Sequence, residues 1–329
     1  MNDVVKGRVE LLVKNKALLQ KDFFLENGLI TVIAGAAFAE KDKTADPDFV
    51  KECRELLRKK KGPFSEMRGN NELLISTKMA LSGNPEQYID DVIKVYDKLQ
   101  SGKIFGSSYR VLAATSVCDA QKVNDADKIV EKTEAILKGM KSAHPFLTSD
   151  EDTGFAVLLA MTEKGVDQIL TELEESYECI KKHFAFHDNA AYSLAQVLTT
   201  CEGDINENSQ KAIELFDAFK NAGFKYGKEH ELPSLGILVN LGKDTSEIVS
   251  EVIEVVESFK GQKGFGMLDM SQQTKLMLGT MIVASVYNEN LNTANTSVAN
   301  GALSILIAEQ TALVAIISAS AVAVVSSSN

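Results

Sequence analysis

A phenylalanine recurs along this chain about every 40 residues: Phe24, Phe64, Phe105, Phe146, Phe184, Phe224 and Phe265, at steps of 40, 41, 41, 38, 40 and 41. Self-similarity at such a period marks a repeat architecture, in which each unit must stack on its neighbours to bury its apolar face. Pro63, Pro145, Gly223 and Gly264 each immediately precede one of these phenylalanines. After each phenylalanine come a short polar stretch, an apolar segment, a turn and an amphipathic segment.

The apolar segments include ELLISTKMAL, RVLAATSVC, GFAVLLAMT, YSLAQVLTT, LGILVNLG and TKLMLGTMIVAS. FAVLLAM and LGILVNL are apolar nearly all round, which predicts helices buried on most sides. The second segments carry a single stripe. Ile89, Val92, Ile93, Tyr96 and Leu99 keep helical spacing, and Ile248, Val249, Val252, Val256 and Phe259 repeat it. The predicted fold class is all-α: a stack of about seven helical hairpins of roughly 40 residues. An open stack is an α-solenoid, and one whose curvature closes is an α/α toroid.

The expected organisation is one continuous repeat domain. Residues 1–23 form an N-terminal capping helix, residues 24–264 six hairpin repeats, and residues 265–329 an atypical last repeat with an apolar C-terminal helix over residues 298–325. A glycine just past a helix can turn left-handed, and the next residue then packs back on the last turn. The phenylalanine series is therefore expected to be structural.

Charge and cysteine usage exclude several functions. A net charge of −11 argues against nucleic acid, since lysines and arginines that neutralise phosphate supply most of that affinity. Four cysteines without CxxC spacing exclude a disulfide scaffold and a cysteine-only zinc ribbon. No apolar signal region opens the chain, so a cytoplasmic location is expected. The apolar run over residues 303–325 is broken by Glu309 and Gln310 and lacks flanking basic residues, which argues against membrane insertion. That terminal helix has no charged face, so a homodimer through it is one way to cover it.

Several local motifs stand out: MRGN at 67–70, HPFLTSDED at 144–152, YSLAQVL at 192–198, KGFG at 263–266, and an Ala/Ser-rich end. With the repeat, they resemble a bacterial family catalogued as a domain of unknown function, number four thousand and three in its series. The resemblance spans essentially the whole chain. It implies membership and supplies no catalytic residues.

In a hairpin stack, the loops that lead into the buried helices share one rim, where free helix N–H groups favour anions. The candidate binding residues there are Arg68 and Asn70; Tyr109 and Arg110; Asp150, Glu151 and Asp152; His187, Asp188 and Asn189; Glu229 and His230; and Gln272. Each has a plainer reading. The three acids at 150–152 suit helix caps, and Arg68 suits an ion pair with a neighbouring acid. His187 and His230, with Asp150 or Asp152, would suit a divalent metal, but no HExxH-type motif supports one, and neither metal nor cofactor is expected. Asn189 and Gln272 suit an extended peptide backbone. P-loop, GxGxxG, GxSxG and EF-hand patterns are absent. The leading expectation is a binding scaffold for a peptide or protein partner. An enzyme or small-molecule binder built on a toroid is the alternative, and a membrane-peripheral protein held by its C-terminal helix the second. Whether a reaction is catalysed stays open.

Overall fold

The computed structural model describes residues 1–267 and 269–290. The expected C-terminal helix over 298–325, and any homodimer through it, lie outside the described residues. The described chain is all-α. One set of helices is amphipathic: α1 (Asp3–Asp22), α3 (Pro47–Lys60), α5 (Pro85–Gln100), α7 (Ala126–Ala143), α9 (Val166–Ile180), α11 (Ile205–Asn221) and α12 (Thr245–Ser258). Between them run apolar helices: α2 (Gly28–Glu40), α4 (Asn70–Leu81), α6 (Ser108–Asp119), α8 (Thr153–Ala160), α10 (Asp188–Thr199) and α13 (Gln272–Asn290).

The first set forms an outer layer and the second an inner one. Every residue of α8 is buried, whereas α5 buries only Tyr88, Ile89, Val92, Val95 and Leu99. Side-chain caps define many starts. Asn2, Asn27, Asp46, Asn84 and Asp204 each accept a backbone N–H in the first turn of the helix that follows. Among the described residues no helix is long and apolar enough to cross a membrane.

Most outer helices pack more closely on the inner helix that follows than on the one before: α1 with α2, α3 with α4, α5 with α6, α7 with α8, α9 with α10, and α12 with α13. α1 is the outer partner of α2.

One inner position departs from expectation. LGILVNLG was expected to be an α-helix, but Leu232–Leu238 is a 3-10 segment. Pro233 lacks an N–H to donate. Gly236 lies against Val197 so closely that a Cβ would meet its Cγ1 at 2.6 Å.

The order of contacts returns to its start. Outer helices touch in the sequence α1, α3, α5, α7, α9, α11, α12, and α12 touches α1. At the inner layer, α13 packs on both α1 and α2. Hydrogen bonds sew this seam: the Asn2 N–H donates to Glu251 at 2.8 Å and the Asn2 amide to Tyr287 Oη at 3.0 Å. The N-terminal ammonium pairs with Glu254.

Lys16 of α1 reaches across the same seam and donates to the Lys263 carbonyl at 3.2 Å. Burial pushes its pKa below the usual lysine value, against the pull of Asp269. Its Nζ lies where a Cβ on Gly264 would have to be, and Gly264 has φ 84°.

The repeated phenylalanine has two fates, and the expectation that the whole series is structural is corrected. Phe184 and Phe265 are buried and Phe224 is half-buried. Phe24, Phe64, Phe105 and Phe146 are between 70% and 99% exposed. Where the phenylalanine turns inward at 224 and 265, a left-handed glycine precedes it: Gly223 has φ 85° and Gly264 φ 84°. Phe64 and Phe146 follow prolines, whose ring forbids that conformation. Phe24 follows Phe23 and Phe105 follows Ile104.

The Gly264→Ala variant should lose more than about 1 kcal/mol, because it meets both a left-handed φ and the Lys16 ammonium. Gly62→Ala, where nothing lies within 4 Å, should be near neutral. Urea unfolding of the two variants checks this. Equal midpoints would remove the seam from the account of stability.

Candidate functional site

The loops into the inner helices lie together at one end, held by ties that span one repeat. Ser108 donates to Glu66 at 3.3 Å, Tyr109 to Glu151 at 3.1 Å, and Arg110 to Asp150. His187 Nδ1 lies 2.7 Å from Glu229. These partners are 40–42 residues apart, so each tie joins equivalent loops.

Most rim residues singled out in the sequence are thus brought together, but with one another. Arg110 also donates to Gln100 at 2.7 Å and to the Phe105 carbonyl at 2.8 Å. Asp152 closes a capping box with Ser149 and accepts from the Gln196 amide at 2.7 Å. Burial raises its pKa, opposed by those hydrogen bonds. Asp188 accepts from Tyr177 at 3.3 Å. Asn189, Glu229, His230 and Gln272 are exposed and Asn70 is half-buried. His187 pairs with Glu229 and not with Asp150 or Asp152. Among the described residues no group of three or more His, Cys, Asp or Glu could hold a metal ion.

Arg68 belongs to a charge cluster on the same rim. Glu72, in the first turn of α4, accepts from Arg58 Nε and Nη2 at 3.0 Å and from Arg68. Arg54 stands 3.2 Å from its other oxygen and also pairs with Glu26. Burial alone would raise the Glu72 carboxyl. Arg58, Arg54 and Arg68 together outweigh burial and hold it below the usual range.

The opposite end has another chemistry. Here the inner helices end and expose their last carbonyls, which carry the negative end of the dipole. In two units a lysine from the preceding unit covers them. Lys122 donates to the Met161 carbonyl at 2.9 Å and Lys132 to that of Thr162 at 2.8 Å, just past α8. Lys164 donates to Thr199 at 2.8 Å and Cys201 at 3.0 Å, at the end of α10.

The turns after α4 and after α10 lack such a lysine; the second reads Glu202, Gly203, Asp204. The turn after α4, where Lys122 and Lys164 have their counterparts, reads Ser82, Gly83, Asn84. α4 and α6 do not pack closely on each other. A cavity of about 700 Å³ opens there, lined in part by Lys78, Asn84, Tyr88, Asp91, Cys118 and Asp119. Asp119 pairs with Lys78 and accepts from Tyr88 at 2.7 Å. Asp91 accepts from the neutral Gln87 amide at 3.1 Å. Burial pushes the Cys118 thiol up, which makes it a poor nucleophile.

Sequence reasoning did not select this cavity. Its signal was a lysine inside an apolar helix, Lys78, 41 residues from Asp119 at the end of the next one. A charge in an inner helix, matched by its opposite one period later, marks a place where two units meet through polar atoms.

Removing the central carboxylate tests the arginine cluster. Glu72→Gln leaves three guanidinium groups facing one another and should cost about 3 kcal/mol. A carboxyl held low in the folded state stabilises above its unfolded pKa, and that contribution is lost as pH falls through the folded value. The gap between wild type and Glu72→Gln, read from thermal unfolding, should therefore be full at pH 7 and narrow on acidification below the usual glutamate range. A gap independent of pH would show that the carboxylate charge is not what holds the cluster.

No curated protein and no solved structure matches this chain. A family model described as Protein of unknown function (DUF4003) matches residues 15–312. The match covers most of the chain, including the rim loops, the α4–α6 cavity and the seam residues Lys16 and Gly264. The chain belongs to the DUF4003 family of proteins of unknown function.

Proposed function

We propose that the protein is a binding scaffold on an α/α toroid, and that its partner is a peptide or protein presenting a basic side chain to the cavity between α4 and α6. One observation carries the reading. The chain's own lysines cover the inner-helix carbonyls past α8 and α10; the turns after α4 and α10 have no such lysine, and the one after α4 lines a cavity of about 700 Å³. A partner's ammonium or guanidinium supplies there what Lys122 and Lys164 supply in later units.

Glu40, Asp91 and Asp119 line the cavity with the ends of α2, α4 and α6; Lys41 pairs with Glu40 and Lys78 with Asp119, so it is Asp91, held by the neutral Gln87 amide, that favours a cation. The cavity volume, about 700 Å³, lies within the range of ligand pockets, roughly 300–1,000 Å³. Leu74, Leu81 and Ala120 offer apolar contact for an aliphatic stem.

A positional-scanning peptide library tests this. Lysine or arginine should be enriched at one position. Asp91→Lys, and separately Asn84→Lys, should weaken the selected peptides by roughly 10-fold or more, since a tenfold loss needs only about 1.4 kcal/mol. Asp167→Lys, in α9 and outside the cavity, controls for net charge. Selection without a basic preference, or variants that bind like wild type, would overturn the reading.

A further inference from the structure

Three acids are buried among the described residues: Glu72, Asp152 and Glu251. Glu72 is met by three arginines, and Glu251 lies near the Lys243 ammonium. Asp152, 6% exposed at the start of α8, has neutral partners. Its carboxyl accepts from the Ser149 N–H at 2.7 Å and from Gln196 Nε2, in α10, at 2.7 Å. The closest guanidinium on α6, that of Arg110, is spent on Asp150, Gln100 and the Phe105 carbonyl. A buried carboxylate with only neutral partners is a costly charge.

Gln196 carries a matching defect. Its side chain is 0% exposed, and among the described residues its Oε1 has no hydrogen-bond partner. A buried amide oxygen without a donor is itself destabilising. An ionised carboxylate holds acceptors alone and cannot serve that oxygen. Turning the amide over would set Oε1 against the carboxylate, acceptor to acceptor. A protonated carboxyl removes both defects at once, because it has an O–H to donate and no charge to bury.

We propose that Asp152 and Gln196 form a proton-operated lock between α8 and α10: one proton taken up by Asp152 closes a second hydrogen bond, from the carboxyl O–H to Gln196 Oε1, beside the one that Nε2 already donates. The two side chains then make a closed acid–amide pair. Asp150 and Glu151, which tie the same loop to Arg110 and Tyr109 of α6, directly precede Asp152. The lock therefore holds the loop to which two of the rim ties are made. It is independent of the cavity between α4 and α6 at the other end.

The charged and titratable groups around Asp152 are few. Glu151 adds a like charge from its own turn, and Tyr192 of α10 faces it. From the end of α7, Lys141 donates to the Thr148 carbonyl, and His144 packs edge-on against Tyr192 and pairs with Glu174 of α9. Burial raises the Asp152 carboxyl above its usual value, against the Ser149 and Gln196 hydrogen bonds. A carboxyl raised in the folded state stabilises fully below its unfolded pKa, and that contribution is lost as pH rises through the folded value. The lock thus tightens on acidification.

A pH titration of isotope-labelled full-length protein by NMR tests this. The Asp152 carboxyl carbon, assigned by its loss in Asp152→Asn, should titrate above the ordinary aspartate range, around 3.9. The Gln196 side-chain Nε2 signal should shift with the same midpoint. Hydrogen exchange of the α8 amides, relative to Asp152→Asn at the same pH, should slow at least threefold below that midpoint. His144 is present in both proteins, so its titration drops out of the comparison. Gln196→Met keeps the side-chain volume without the amide and should abolish the pH dependence of α8 exchange; it serves as the comparison if Asp152→Asn does not fold. An Asp152 carbon that titrates in the ordinary range overturns the proposal. A Gln196 signal unmoved through the Asp152 midpoint also overturns it and leaves Asp152 a helix cap alone.

Discussion

An inner helix that is apolar around its whole circumference must have a neighbour on every side. That demand organises the molecule. α8 buries all of its residues and can do so only because α6, α7 and α10 surround it. The outer helices need less and keep a solvated face. The same requirement holds for the first and last inner helices, α2 and α13, and they meet it by packing on each other and on α1. The polar contacts of Asn2, Lys16, Glu251 and Tyr287 fix the register of a seam whose driving force is apolar.

The two ends of the helices have separate chemistries because alternating outer and inner helices send their connections to opposite ends. Every loop from outer to inner helix emerges at one end. There, side chains one repeat apart bind each other and leave phenyl groups and lysines facing outward. Every turn from inner to outer helix emerges at the other end. There, lysines from the preceding unit cover the carbonyls past α8 and α10, and a cavity opens between α4 and α6. Where each unit does what its neighbour does, side chains are consumed in holding the stack.

Much of this was legible in the sequence. The period of about 40 residues and the two kinds of apolar pattern gave the helical class and the alternation of layers. Periodicity does not say on which neighbour an outer helix packs more closely; for most of them it is the inner helix that follows. Composition suggested a helix at 232–238, where Pro233 and Gly236 instead favour a tighter turn. The rim residues were picked as a set because they recur, but recurrence is also what unit-to-unit ties need. Arg110 and Asp150, or His187 and Glu229, satisfy each other. Exposure was the least legible property. Phe64 and Phe265 occupy equivalent places in the register, with Pro63 before the exposed one and a left-handed Gly264 before the buried one.

The seam at Asn2 and Lys16 also bears on how the chain comes to fold. Asn2 bonds residues 249 and 285 positions further along. Each outer–inner hairpin is local and can form as soon as its own residues are available. The junction of the first with the last cannot form before the chain reaches Tyr287, and it carries the loop-closure entropy of nearly the whole molecule. Until then the flanks of α1 and α2 have no α13 to cover them. During synthesis the earliest hairpin therefore waits longest for its second neighbour, and its exposed flank is the surface that chaperones would meet.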